Sequence, residues 1–379
     1  GGGAAGEAED MTERDFPFTK TIRDLPATTP FVSPEALVRQ RGGRPFRARL
    51  GANESGFGPS PRALAAMQAE AAESWRYGDP ESFELRAHLA ELWGCGEDRL
   101  LVGAGIDGLL GLAVRITVDP GTPVVTSHGA YPTFNYHVAG AGGRREAVPY
   151  RDDHEDLEAL ARAAWTHRPP LVYLANPDNP MGSWHDGAAI AAFAEALPKD
   201  TLLVLDEAYA ELAPAGTALP LDRQGPRVLR FRTFSKLYGL AGQRIGYLLA
   251  DPQVIAAINK VRNHFEVTRV SQAGALAALA DTDHAEATAA AIAEGREDYA
   301  RIAAANELTA LPSATNFVAI DTGDAERAKA LLQALRERDV FVRMPGVPPL
   351  DRCIRVTVGP PEARAIFAAA LPEALQAIA

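Results

Sequence analysis

Between residues 47 and 265 the chain alternates short apolar runs with Ala/Leu-rich helical runs, and this alternation leaves few folds open. Strand-then-helix repetition implies a mostly parallel sheet covered by helices. Three of the apolar runs carry polar residues where the strand gives way to a loop. Leu171-Val-Tyr-Leu-Ala runs into a Pro/Asn/Gly turn that holds Asn179. Thr201-Leu-Leu-Val-Leu-Asp206 ends on an acid, with Tyr209 three residues on. The third run leads into Arg232-Thr-Phe-Ser-Lys-Leu-Tyr-Gly-Leu-Ala-Gly-Gln-Arg244. In an open α/β sheet that edge is where ligands bind. Asn179, Asp206 and Lys236 lie 27 and 30 residues apart, about one strand-plus-crossover unit each, so they can occupy neighbouring loops.

The third run has the parts that a Schiff-base lysine beside a phosphate-bearing cofactor needs. Lys236 supplies an amine to condense with an aldehyde, and Ser235 and Arg244 supply a hydroxyl and a guanidinium for a phosphate. A further anion site is legible in Leu100-Leu-Val-Gly-Ala-Gly-Ile-Asp-Gly, where a strand enters a glycine turn and then an apolar helix whose N-terminus favours negative charge. Gly103, Gly105 and Gly108 also spell the dinucleotide fingerprint. That fingerprint asks for an acid at the end of the next strand. The next strand, Thr122–Ser127, ends without one, so a dinucleotide site is disfavoured.

The order and spacing of these segments resemble the fold-type I pyridoxal-phosphate (PLP) aminotransferases, and within them the histidinol-phosphate aminotransferase branch. The likeness runs from about Leu50 to Pro360 and includes Asn-Glu-Ser-Gly-Phe-Gly-Pro-Ser-Pro (53–61), Arg-Tyr-Gly-Asp-Pro (76–80) and Ile-Arg-Val-Thr-Val-Gly (354–359). It implies an aspartate-aminotransferase-like α/β fold. It also implies transfer of an amino group from an amino acid or histidinol phosphate to a 2-oxo acid such as 2-oxoglutarate, in amino-acid biosynthesis. By the same resemblance Lys236 is the Schiff-base lysine and proton carrier, and Asp206 holds the ring nitrogen cationic. Asn179 and Tyr209 bond the phenolic oxygen, and Phe134 stacks on the ring face. Ser235, Arg244 and the backbone of Gly105, Ile106 and Asp107 hold the phosphate. Tyr77 reaches the phosphate of a partner subunit in a homodimer with shared sites. Arg355 and Arg343 clamp the anionic end of the substrate. Each residue type has an ordinary structural use as well, as turn former, N-cap, core aromatic or surface charge; their joint order favours the functional one.

The chain departs from the branch at Gly56, Gly78, Gln243 and His264-Phe-Glu-Val (264–267). The expectation is looser loops at the site entrance, with His264 and Glu266 close to the substrate. Two other readings use the same residues: a different PLP reaction such as decarboxylation, elimination or cyclisation, and a non-catalytic ligand sensor.

The expected organisation is an N-terminal arm (1–46) packing on a small domain, a large PLP-binding domain (47–265), and a small α+β domain (266–379). A long helix over 284–306, a strand over 316–321 and a helix over 325–338 are expected in the last. The first ten residues are low-complexity, lack the features of a signal peptide, and are set aside as vector-like. A formal charge of −11 leaves no electrostatic footprint for nucleic acid. No apolar stretch reaches the roughly 20 residues of a membrane helix. Cys95 and Cys353 form no metal or redox spacing, which suits a reducing, cytoplasmic setting with no metal centre.

Overall fold

The computed structural model describes residues 16–27 and 31–379; the low-complexity first ten residues lie outside that range. After the short β1 (Ala48–Arg49), seven strands build one sheet: β2 (Leu100–Gly103), β3 (Pro123–Ser127), β4 (Arg144–Val148), β5 (Leu171–Ala175), β6 (Leu202–Asp206), β7 (Val228–Thr233) and β8 (Gly246–Leu249). Their spatial order is β2-β8-β7-β6-β5-β3-β4. All neighbours are parallel except β8, which runs antiparallel to β2 and β7. The α/β class expected from the alternation is therefore the observed one.

Near-continuous apolar strands are what a sheet covered on both faces requires. Leu171, Tyr173 and Ala175 of β5 share one face with Val204 and Phe231, beneath the helices Gly105–Arg115 and Pro132–Gly140. Val172, Leu174, Leu203 and Leu205 fill the other face, beneath Leu157–His167 and Gly187–Ala196. Each fully buried Leu or Val here contributes about 1.5–3 kcal/mol relative to exposure. Two of the covering helices start at aspartate caps: Asp156 Oδ1 accepts from Ala159 N at 3.1 Å and Asp186 Oδ1 from Ala189 N at 2.7 Å. The outer strand β4 exposes Arg144 and Arg145, charges that discourage edge-to-edge association.

The C-terminal part follows the long helix Thr282–Ala305. It contains β9 (Thr309–Ala310), β10 (Phe317–Asp321), β11 (Val340–Phe341) and β12 (Cys353–Thr357), with the helices Ala325–Glu337 and Pro361–Ala377. β12, β10 and β9 form an antiparallel sheet, while β11 pairs in parallel with β1. Arg41 and Arg44 pair with Asp339, and Arg343 donates Nη2 to Val32 O at 2.9 Å, so residues 31–46 lie on these elements.

Packing differs from the expected boundaries in two places. The β1–β11 pairing and the hydrogen bond from Thr357 N to Leu50 O (2.8 Å) carry the arm's association past residue 46. Helix Arg269–Ala280 packs with Pro61–Ala71 instead of with the C-terminal sheet: Ala275, Ala278 and Leu279 are buried with Ala63 and Met67, and a Cβ on Gly274 would stand 2.7 Å from the Met67 sulfur. Helical periodicity records an apolar face but not its partner, which is why the sequence missed this. Among the described residues no helix is long and apolar enough to cross a membrane.

Candidate active site

Beyond the carboxyl ends of β2, β5, β6 and β7 lies a cavity of about 330 Å³, within the range of small-molecule sites. One wall is the turn from β2 into the helix Gly105–Arg115. Gly105 has φ +76°, and a Cβ there would stand 2.5 Å from Arg244 Nη2, so only glycine lets the guanidinium lie against the helix start. Arg244 donates Nη1 to Ser235 Oγ at 3.3 Å, and its Nη2 lies 4.0 Å from Asp107 Oδ2. Ile106, Asp107, Ser235 and Arg244 all line the cavity. First-turn backbone N–H groups have no partner within their helix, so this corner gathers donors for an anion.

Lys236 follows Ser235 just past the end of β7 and lines the same cavity, with Nζ 5.7 Å from the centre of the Tyr209 ring. Burial and the nearby Arg355 and Arg244 lower its ammonium to about 8, against the pull of Asp107 and Glu54. Asp206, the last residue of β6, is buried; it accepts from Tyr173 OH at 2.6 Å (Oδ2) and from Ala208 N at 3.1 Å (Oδ1). Burial pushes its carboxyl up to about 6, while these two donors oppose the rise. Tyr209 sits edge-on to Phe317, and its hydroxyl accepts from Asn53 Nδ2 at 3.2 Å. Burial moves that phenol well up from its ordinary range.

Of two arginines on the C-terminal elements, Arg343 lines the far side of the cavity and Arg355, bonded to the lining residue Asn179, does not line it itself. Arg355 on β12 and Arg343 just after β11 are joined by their backbones, Arg355 N to Arg343 O at 2.6 Å and Arg343 N to Arg355 O at 3.2 Å. Arg355 donates Nη1 to Asn179 Oδ1 at 2.7 Å and Nη2 to Gly51 O at 3.0 Å. Burial lowers it to about 10, and its Nε is buried without a partner among the described residues. Arg343 lines the cavity, lies near Phe31 and Phe341, and also has a buried, unpartnered Nε. Two guanidiniums with unused N–H groups suit an anionic substrate group.

Most of the residues expected from the sequence therefore meet at one cavity, but Arg355 and Phe134 do not line it. Phe134 is fully buried and stacks on Tyr173, centroids 4.7 Å apart and planes 19° apart. The cavity-facing aromatic of that segment is Tyr131, whose hydroxyl donates to Asp107 Oδ1 at 2.7 Å. A helix begins at Pro132, so Tyr131 at its start faces the cavity while Phe134, within its first turn, points into the core beneath. Tyr77 is 78 % exposed, against Phe265 at 4.9 Å, and away from this chain's own cavity.

His264 and Glu266 also lie away from the cavity lining. Nor are Gly56 and Gly78 loose. A Cβ at Gly56 would stand 2.9 Å from Pro360 Cδ, and one at Gly78 would stand 2.9 Å from Val267 O, so both are sites of close packing. Gln243 accepts from Ser271 Oγ at its backbone oxygen (2.7 Å) and at Oε1 (3.0 Å), tying the turn before Arg244 to the helix Arg269–Ala280. Among the cavity residues that escaped the sequence reading are Asn53, Phe31 and Tyr131. Asn53 stood inside a motif already noted, whereas Phe31 and Tyr131 gave no signal of their own.

The residues fit PLP chemically. An anion corner held open by a glycine, an amine with a lowered proton affinity and a buried carboxylate lie around one cavity; they match a phosphate, an aldehyde and a ring nitrogen.

Comparison with known proteins points the same way. The model of the family "Aminotransferase class I and II" matches residues 48–371. A histidinol-phosphate aminotransferase of Anaeromyxobacter sp. is 38% identical over 337 residues, covering 87% of this chain and 92% of that protein. Histidinol-phosphate aminotransferase 2 of Ralstonia nicotianae is 38% identical over 335 residues, covering 86% and 88%. Among solved structures, histidinol-phosphate aminotransferase from Sinorhizobium meliloti in complex with pyridoxal-5'-phosphate superposes with a TM-score of 0.94 at 52% identity, covering 97% of this chain and 99% of that one.

Proposed function

The chain belongs to the class I and II aminotransferases, and from that membership we propose that it moves the amino group of histidinol phosphate or a related amino donor to 2-oxoglutarate, using PLP. The observation that carries the proposal is the meeting of Lys236, Asp206 and the Gly105–Arg244 corner at one cavity, with Arg343 across from them. When bound, PLP supplies an electron sink for the carbon next to the amine.

The protein's own residues do the rest. Ser235, Arg244 and the helix start hold the phosphate. Asp206, anionic above about pH 6, holds the ring nitrogen cationic. Asn179 and Tyr209 bond the phenolic oxygen. Lys236, with its ammonium near 8, exchanges a proton at Nζ close to neutral pH, where general acid–base catalysis is most effective. Arg355 and Arg343 take the substrate's anionic end, and the names of the relatives favour a phosphate there.

A homodimer with shared sites belongs to the same proposal. Tyr77 and Trp75 are 78 % and 80 % exposed, and Tyr77 with Phe265 forms an aromatic patch suited to a second copy. The division into a large cofactor-binding unit and a small C-terminal unit is proposed with it. So is a cytoplasmic setting, which the two free cysteines suit.

The test is spectral. Protein loaded with PLP should show a visible band that histidinol phosphate converts to the pyridoxamine form and that 2-oxoglutarate restores. Lys236→Ala should lose the band and about 10³-fold or more of the rate. A PLP-loaded wild type with no such band, or one that releases carbon dioxide from an amino acid donor without forming pyridoxamine phosphate, overturns the proposal.

A further inference from the structure

We propose that Tyr173 is a positioning residue for Asp206, and that Phe134 acts on the site at one remove by holding the Tyr173 ring. The inference rests on the reading of the cavity as a PLP site. It begins with register. Along β5, Leu171, Tyr173 and Ala175 point to one face; along β6, Val204 and Asp206 point to the same face. Ala175 pairs with Asp206 and Tyr173 with Val204, so Tyr173 is the diagonal neighbour of Asp206, within reach of a long side chain.

The hydroxyl uses that reach. It donates to Asp206 Oδ2 at 2.6 Å, a short bond of the kind made to a charged acceptor. Tyr173 and Phe134 are both fully buried, and their near-parallel stacking leaves the phenol no room to swing away. Tyr173 OH and Ala208 N thus take one carboxylate oxygen each and fix the plane of the group. The remaining lone pairs are left for the cavity that Asp206 lines. Burial also raises the Tyr173 phenol well above its ordinary range, so its hydroxyl stays a donor through neutral pH.

A donor to the carboxylate favours the ionised form that a cationic ring nitrogen requires. Burial works against it, and so does Asp107 on the helix after β2, whereas Lys236 beyond β7 helps. Glu155 and Tyr131 face Tyr173 itself, and Tyr209 faces Asp206. Tyr173→Phe leaves all of these in place, together with the stacked ring, and removes one oxygen.

The experiment measures the affinity of the apoprotein for PLP by equilibrium dialysis from pH 5 to pH 9, beside thermal unfolding. In the wild type, affinity should fall as pH drops through the Asp206 titration near 6. In Tyr173→Phe that fall should move up by about one pH unit, because a bond to the charged form has been lost. Phe134→Leu should move it the same way by less, and Asp206→Asn should abolish it. A Tyr173→Phe curve that superimposes on the wild type, with only the unfolding temperature lowered, makes Tyr173 a packing residue and overturns the inference. A wild type that binds no PLP at any pH overturns the cofactor reading itself, a distinguishable result.

Discussion

Lys236 is an amine that the fold has made reluctant to carry charge. Its ammonium is lowered from 10.5 to about 8, first by burial and then by Arg355. A base with a depressed folded value binds fewer protons when folded than when unfolded, so stability rises with pH across the interval between the two values. The penalty is fully present below about pH 8 and is relieved by about pH 10.5. Two and a half units correspond to about 3 kcal/mol. The apoprotein of Lys236→Met should therefore be more stable than wild type at pH 7, by up to about 3 kcal/mol in urea unfolding. That difference should shrink towards pH 10. A constant difference across the range would mean that the charge of Lys236 carries no penalty.

The elements that present the site are tied together beneath it by a buried ion cluster. Glu207, next to Asp206, accepts from Arg230 Nε at 2.7 Å, from Arg230 Nη2 at 3.1 Å and from Arg232 Nε at 3.2 Å. Arg230 is fully buried and Arg232 nearly so, and both guanidiniums lie over the Trp93 ring, at 4.8 and 4.9 Å. Burial alone would raise the Glu207 carboxyl, but Arg232 and Arg230 outweigh it and hold the group below its ordinary range. The cluster spans β6 and β7, whose ends carry Asp206 and Lys236. Glu207→Gln strands the buried Arg230 and leaves Arg232 with Glu211 alone, and should cost about 3–5 kcal/mol in chemical unfolding. Its rate loss should be recovered in large part at low temperature, because no atom of Glu207 meets the cavity. A cost below 1 kcal/mol would show that the cluster is dispensable.

At the scale of the whole molecule, the two arms of the site belong to different sheets, and Arg352 joins them. It grips Asp153 with both terminal nitrogens, at 3.0 and 2.8 Å, and Asp321 with Nε at 2.9 Å. Asp153 belongs to the turn after β4, whereas Asp321 ends β10 and Arg352 immediately precedes β12, the strand that carries Arg355. Beside this joint Met181 of the Asn179 loop is buried with Ala319, Leu350 and Cys353. Asp153→Ala should cost about 1 kcal/mol of stability, since the pair is partly exposed. Because it loosens the placement of Arg355 against Asn179, it should raise KM for the anionic substrate about tenfold with a smaller change in kcat. Equal losses in both constants would place the effect elsewhere.

The sequence by itself determined the sheet, the loops that flank its ligand edge, and the cofactor chemistry. Strand and helix periodicities are local, and a polar residue at the end of an apolar run can only lie at a sheet edge. The anion corner was legible for the same reason, since a glycine turn between strand and helix is one contiguous segment. Tertiary structure alone decided which aromatic of residues 131–136 meets the cavity and which supports Asp206 through Tyr173. It also set Asn53 against Tyr209, brought Arg343 beside Arg355, and assigned the helix Arg269–Ala280 to its neighbours. Those outcomes depend on how separately folded surfaces meet, and the packing energy that selects them is carried by no single stretch of chain.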